Sequence, residues 1–471
     1  MLKLFRSFSN TPYAYDSLTN DFYRIDEHVF EVLDQAGEKL SQCSDEKVRK
    51  TFEDAGVVEV TLPLQSPELF KAEIEKENLG MRKLIIGLTH ICNLRCRYCI
   101  YSGSYSDERT HEKKEMSMET ADKIIDTFFV KRKNDHPATV TFYGGEPFMN
   151  FPVISHMVNR INSLFDDVIY SVTTNGLMLK NDKNLSFLVE NDFITSISFD
   201  GPIQEKMRVD ERGKGTYNEL MSIIEHISVK YPDYYKNRVG FNVTITPATD
   251  LPETVKFFNT NPLFRNSTLN IIRHYDPDNT FCRKYDLQDH QKTLKDEFEA
   301  LRKQYPEVYR DNLPFHNGCY YSSMVKINQR AMGPVDHLPL NSCCYPGMNA
   351  VFVDIDGTCS ACERTEHYPL GHIDREAVNN ATADECVNSY YTIASKYCPE
   401  CWAARLCSKC FSHVRRGTLN EENFLSNCDE FRQSLLKSLE LYASVKEKDE
   451  KAFNEAKSAE EIMAEMKREK K

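Results

Sequence analysis

Between residues 81 and 305 the chain alternates short β-branched apolar runs with longer stretches whose apolar residues recur at helical spacing. The runs 83–88, 139–142, 168–172, 194–199, 239–245 and 269–272 read as strands. The stretches 118–131, 153–165, 217–231 and 291–304 read as amphipathic helices, the first with Ser117 as its N-cap. Repeated βα units predict a parallel sheet with helices outside it, doubly wound or curled into a barrel. The residues after the strands are the Cys92 cluster, Gly144-Gly145-Glu146-Pro147, Thr174-Asn175-Gly176, Asp200-Gly201-Pro202 and Thr246-Pro247. Small, polar and cysteine residues thus gather at the carboxyl end of the sheet, where α/β barrels hold their active sites.

The flanks read differently. Tyr13-Ala14-Tyr15-Asp16 and Phe22-Tyr23-Arg24-Ile25 surround Ser17-Leu18-Thr19-Asn20, which predicts a hairpin. Helical stretches at 27–40 and 45–54 follow, then a short strand at Val57-Val58-Glu59-Val60. This order resembles a winged-helix peptide-binding module; a packing extension of the next domain is the alternative. The last residues, 446–471, are rich in Lys, Glu and Ala and predict a charged, solvated helix.

With 471 residues the chain is long enough for several domains. No apolar run approaches the roughly 20 residues of a membrane span, and no signal-peptide core follows Met1-Leu2-Lys3, so a cytoplasmic location without a membrane partner is expected. A net charge of −12 argues against a nucleic-acid partner. The 16 cysteines change the picture most. They cluster at Cys92–Cys99 and between Cys343 and Cys428, with Cys319 just upstream. Clustered thiols in a reducing compartment bind metal more readily than they form disulfides. Cys43 and Cys282 stand alone and read as buried, inert thiols.

Cys92-Asn93-Leu94-Arg95-Cys96-Arg97-Tyr98-Cys99 is a Cys-x3-Cys-x2-Cys motif on the loop after the first barrel strand. Three thiolates hold three irons of a cubane and leave the fourth open. Zinc would want a fourth protein ligand, and the Cys-x3-Cys-x2-Cys motif itself supplies three. Here the chain resembles the radical S-adenosylmethionine superfamily over residues 81 to about 305. The resemblance implies a 5′-deoxyadenosyl radical made from S-adenosylmethionine. It places Gly144, Gly145 and Glu146 in the methionine-binding loop, Tyr98 against the adenine and Ser198 against the cofactor. Arg208 matches the family arginine that pairs with the cofactor carboxylate, although this sequence lacks the preceding His-Asp and is two residues shorter.

Downstream, Cys344, Gly357-x4-Cys362, Cys398-Pro399-Glu400-Cys401, Cys407-Ser408-Lys409-Cys410 and Cys428 resemble the SPASM extension of radical enzymes acting on peptides and proteins. The resemblance implies two auxiliary [4Fe-4S] clusters. Cys398, Cys401, Cys407 and Cys428 would hold one; Cys344, Cys362 and Cys410 would hold the other. Two residues precede Cys410 where the family has three. The fourth ligand of the second cluster is expected to be Cys319, in a loop at His316-Asn317-Gly318-Cys319, or Cys343. Cys359 and an open site that takes a substrate cysteine are the alternatives. Glu363 stands where sulfatase-maturing relatives carry an acidic proton acceptor; an ion pair with Arg364 or another nearby base is the simpler reading.

The expected fold is therefore a partial six-unit βα barrel (81–310), an N-terminal winged-helix-like module (1–80), a SPASM domain (311–445) and a helical tail (446–471). The expected function is radical modification of a precursor peptide, held by its leader, with an electron donor such as flavodoxin or ferredoxin. Three [4Fe-4S] clusters and S-adenosylmethionine are the expected cofactors, and a thioether cross-link the expected product. Carbon–carbon or carbon–oxygen cyclisation, formylglycine formation in a sulfatase, and a non-catalytic iron–sulfur carrier are the other readings.

Overall fold

The computed structural model describes residues 1–77, 81–105, 109–131, 137–274, 280–340, 344–364, 368–410 and 420–457, with 461, 462 and 465 near the C-terminus. Its first element is an antiparallel sheet of β1 (Leu2–Arg6), β2 (Pro12–Asp16) and β3 (Asp21–Arg24), in that spatial order. The hairpin is where the sequence puts it, and β1 adds a third strand. Period-2 alternation gives this sheet two apolar faces. Leu2, Leu4 and Ala14 close a small core with Leu33, Val48 and Phe52, from the helices Glu27–Gln35 and Glu46–Asp54. Phe5, Tyr15 and Phe22 face the main core, where Tyr15 meets Trp402 and Phe22 meets Tyr442.

The strand expected at residues 57–60 is not formed. Gly56 takes a left-handed φ of 83° and the Val57 N–H bonds to the Phe52 carbonyl, so this run ends the preceding helix. Val58 and Val60 are left 47% and 45% exposed.

Among the described residues the main sheet holds nine strands, three short late ones lying beside six that follow one another in chain order. Its parallel part is β4 (Lys83–Gly87), β5 (Thr139–Tyr143), β6 (Ile169–Thr174), β7 (Ile194–Ser198), β8 (Val239–Ile245) and β9 (Thr268–Arg273). These six match the expected runs to within two residues. The expected helices are present too, and the Ser117 side chain caps Met118–Ile125 by accepting the Thr120 N–H.

Three short strands extend the sheet beyond β4: β10 (Ala350–Val353), β11 (Thr358–Ser360) and β12 (Pro369–His372). β10 runs parallel to β4, and the other two return antiparallel. Val140, Phe142, Tyr170, Val172, Ile197, Phe241 and Val243 bury one face under the helices. The alternate positions Thr141, Ser171, Ser196, Ser198, Asn242 and Asn270 give the other face a polar, uncharged floor. Thr141 and Ser171 are 2.7 Å apart across it, and Asn270 donates to Asn242 at 3.1 Å.

Two further expectations change. Cys319 lies in the helix Pro314–Asn328, not in a loop. Pro314 starts that helix, and Gly318 lets it lie on β9, since a Cβ there would stand 2.7 Å from the Leu269 carbonyl. At the C-terminus the helix Glu421–Lys448 stops where the solvated tail was expected to begin. Residues 449–457 fold back, with Ala452 buried and Phe453 packed on Tyr309 and Tyr321. Most of the remaining tail lies outside the described residues.

Tyr15 is fully buried and donates to Asn20 at 2.7 Å, so Tyr15→Ala should lower stability by about 3–5 kcal/mol. Val58→Ala should stay within about 0.5 kcal/mol. Urea unfolding of both variants checks the contrast, and equal losses would mean the module's sheet is not anchored to the main core.

Candidate active site

The loop after β4 is stitched to a second segment: Arg95 N–H donates to the Val209 carbonyl at 2.7 Å and Arg97 N–H to Met207 at 2.9 Å. This pairing fixes the loop that carries Cys92, Cys96 and Cys99, all half-buried. The three thiols lie within electrostatic reach of one another. Burial pushes Cys92 up to about 11 and Cys96 up to about 12, with the neighbouring thiols adding to it and Arg208 opposing it at Cys96. Burial raises Cys99 as well. Polar hydrogens approach the sulfurs, with Arg208 Nη1 3.8 Å from Cys96 and Asn175 Nδ2 3.9 Å from Cys92.

The Gly144–Pro147 segment crosses this loop at backbone distance. Gly145 N–H donates to the Thr89 carbonyl at 2.7 Å and Glu146 N–H to Ile91 at 2.8 Å. A Cβ on Gly145 would stand 2.3 Å from the Ile91 oxygen, which is why glycine is required there. The Glu146 side chain turns inward and is fully buried. Its carboxyl accepts from Thr174 Oγ1 and Asn175 N–H, each at 2.7 Å, and thereby ties the loop after β5 to the loop after β6. Burial lifts its pKa to about 7 against these hydrogen bonds.

Tyr98, Asp200 and Arg208 form one buried network. Tyr98 OH donates to Asp200 Oδ2 at 2.5 Å, and Arg208 Nε donates to the same oxygen at 2.9 Å. The guanidinium sits 5.3 Å from the Tyr98 ring centroid. Ser198 ends β7 beside Asn242. Asn175, Asp200 and His274, whose ring lies 5.8 Å from Tyr98, are site residues to which the sequence assigned no individual role. Asp200 was visible in the Ser-x-Asp-Gly-Pro stretch and Asn175 in the Thr174-Asn175-Gly176 turn at the carboxyl end of the sheet, but His274 carried no signal of its own.

The downstream cysteines fall into two groups. Cys398, Cys401, Cys407 and Cys428 line one cavity and interact electrostatically. Arg432 Nη1 stands 3.9 Å from Cys401, and the nearly buried Lys409 lies by Cys407 and Cys428. Elsewhere the Cys344 thiol senses Cys410 and Glu363. Cys362, directly before Glu363, lies just past β11. Among the described residues Glu363 makes no ion pair with Arg364.

Of the fourth-ligand candidates, Cys343 lies outside the described residues. Cys359 is fully buried in the main core with Asp356 as its charged neighbour, and Cys319 sits near Arg273 and Tyr320. Cys43 and Cys282 are buried as expected, the latter accepting from Gln291 at 2.9 Å.

Residues 86–256 match the model of the Radical SAM superfamily. The chain carries a radical SAM domain. Over 376 residues the chain is 24% identical to the cysteine-type anaerobic sulfatase-maturating enzyme of Clostridium novyi, covering 74% of this chain and 92% of that protein. It is 23% identical over 214 residues to the radical SAM cyclopropyl synthase TigE of Paramaledivibacter caminithermalis, covering 42% of each. The solved structure of native anSMEcpe with bound AdoMet superposes with a TM-score of 0.54 at 20% identity. That likeness covers 99% of that chain and 77% of this one. Among the described residues, no helix is long and apolar enough to cross a membrane.

A radical SAM domain implies S-adenosylmethionine and a [4Fe-4S] cluster. The residues present fit both. Three neighbouring thiols suit a cubane with one open iron, and the Gly144-Gly145 backbone, Ser198, Tyr98 and Arg208 surround the same end of the sheet.

Glu146→Ala should leave the buried Asn175 N–H unpaired and cost about 1–3 kcal/mol. A folded pKa raised from 4.5 to about 7 means the carboxyl's contribution is full below 4.5 and lost as pH rises through about 7. The penalty measured by thermal melting should therefore be larger at pH 5 than at pH 8. The opposite trend would place the buried carboxyl in its ionised form.

Proposed function

We propose that this radical SAM enzyme matures a ribosomally made precursor peptide by abstracting a hydrogen atom and installing a cross-link, a thioether before a carbon–carbon or carbon–oxygen bond. One observation carries the reading: the strands β10, β11 and β12, which hold Cys359 and lead to Cys362, are built into the same sheet as the strand before the Cys92 loop. Register pairs Ala350–Val353 with Lys83–Ile86. Cys362, just past β11, is thereby placed on the sheet whose strand β4 leads into the Cys92 loop.

When bound, S-adenosylmethionine and the reduced cluster supply a 5′-deoxyadenosyl radical. The residues of the chain do the rest. Cys92, Cys96 and Cys99 hold the cluster. Arg208 would pair with the cofactor carboxylate through a charge-assisted hydrogen bond, and the Gly144-Gly145 backbone would receive the methionine end. Tyr98 would stack against the adenine, and Ser198 would contact the cofactor. Cys398, Cys401, Cys407 and Cys428 hold one auxiliary cluster; Cys344, Cys362 and Cys410 hold the other. Glu363, beside Cys344, accepts the proton that leaves the substrate. The uncharged floor of Ser and Thr hydroxyls and Asn amides suits a peptide main chain. The N-terminal module, with β3 at the edge of its sheet, suits a leader strand added by main-chain hydrogen bonds.

Formylglycine formation in a protein substrate is the second reading, supported by the likeness to the sulfatase-maturating enzyme over 74% of the chain. Mass spectrometry of a cysteine-bearing peptide after reaction separates the two. A cross-link removes a pair of hydrogen atoms and keeps the sulfur, whereas formylglycine loses the sulfur.

Anaerobically reconstituted protein should carry about twelve irons, and the Cys92→Ala/Cys96→Ala/Cys99→Ala variant about eight. Two zincs with four irons in the native protein would refute the auxiliary-cluster assignment.

A further inference from the structure

We infer that Asp200 is a positioning residue that holds both ends of the cofactor site, fixing Arg208 and Tyr98 with one carboxylate. This rests on the proposed cofactor roles of those two residues. Asp200 is fully buried, at the turn after β7. Its Oδ2 accepts from Tyr98 OH at 2.5 Å and from Arg208 Nε at 2.9 Å. Its Oδ1 accepts the Thr244 N–H of β8 at 2.8 Å and faces Arg208 Nη2 at 3.4 Å.

The carboxylate is itself immobilised. The Thr244 bond pins it to a neighbouring strand, and its own N–H donates to Gln204 Oε1 at 3.1 Å. Gln204 in turn donates to Thr216, whose hydroxyl donates to the Arg208 carbonyl at 2.7 Å. The backbone and side chain of Arg208 are therefore tied to the same residue by two routes.

The consequence is directional. Two of the three guanidinium nitrogens, Nε and Nη2, are engaged by Asp200, which leaves Nη1 toward Cys96 Sγ at 3.8 Å. Removing the negative charge would leave a buried guanidinium without its counter-ion, a strongly unfavourable state that drives it to reorient. Tyr98 would lose the partner of its hydroxyl in the same step. Asp200 touches no reacting atom in this arrangement. Its effect is to present Nη1 and the Tyr98 ring in fixed positions, so that cofactor affinity and the surroundings of Cys96 depend on one carboxylate.

The test uses the full-length, anaerobically reconstituted protein. Asp200→Asn keeps the size and removes the charge. It should weaken S-adenosylmethionine binding by about 10-fold or more in equilibrium dialysis. It should also alter the electron paramagnetic resonance signal of the reduced Cys92/Cys96/Cys99 cluster before any cofactor is added, while the auxiliary-cluster signals stay as in wild type. Tyr98→Phe removes one donor and leaves the ion pair. It should weaken binding while leaving the cofactor-free signal unchanged, because the hydroxyl is turned to Asp200.

Wild-type affinity and an unchanged cluster signal in Asp200→Asn would overturn the inference. Should that variant fail to fold, unchanged affinity in Tyr98→Phe would overturn it instead. Wild-type protein that binds no S-adenosylmethionine would fail the functional reading itself, before either variant is compared.

Discussion

Residues Ala350–Val353 lie in register along Lys83–Ile86, and through that pairing β10, β11 and β12 extend the sheet that carries the first thiol loop. The fit is close. A Cβ on Gly87 would stand 3.0 Å from the Phe352 ring and 3.1 Å from Asp354 Oδ1. A second tie crosses the same seam where His90, two residues before Cys92, meets Asp354 at 3.3 Å. A linker would let the two thiol-bearing segments drift. A shared sheet fixes their separation, which matters wherever electrons or a substrate must pass between them.

Charge is arranged locally against the overall balance. The chain carries a net charge of −12, yet cations stand at two of its thiol groups: Arg208 by Cys96, and Arg432 and Lys409 by the Cys398 group. Burial alone favours neutral thiols, and adjacent cations favour the thiolate that binds iron. At the first site the cation is itself held by a buried carboxylate, so its position is set by a network and not by the exposed surface. The N-terminal module is fastened in a comparable way. Arg330 and Arg405 donate to backbone carbonyls at its hairpin, and Arg330 also pairs with Asp21.

Much of the fold was legible because its signals are local. The six parallel strands are β-branched runs bounded by turn residues, and the Cys-x3-Cys-x2-Cys spacing is contiguous. What was missed depends on distance in sequence or on brevity. β10, β11 and β12 have three or four residues each, too few for alternation to register. Residues 57–60 have strand composition, but the preceding helix end claims Val57 and nothing pairs with the rest among the described residues. Gly318 and Asn317 read as a loop, whereas the glycine is there for close helix–strand contact. Asp200 and Tyr98 are 102 residues apart, and only the return of β7 beside the first loop brings them together.

The central claim is that the three thiols after β4 make this chain a radical-generating enzyme. The most direct measurement incubates anaerobic, reduced protein with S-adenosylmethionine and quantifies 5′-deoxyadenosine by chromatography. The account predicts steady formation by the wild-type chain and none by the variant lacking Cys92, Cys96 and Cys99. Undiminished formation by that variant would contradict it.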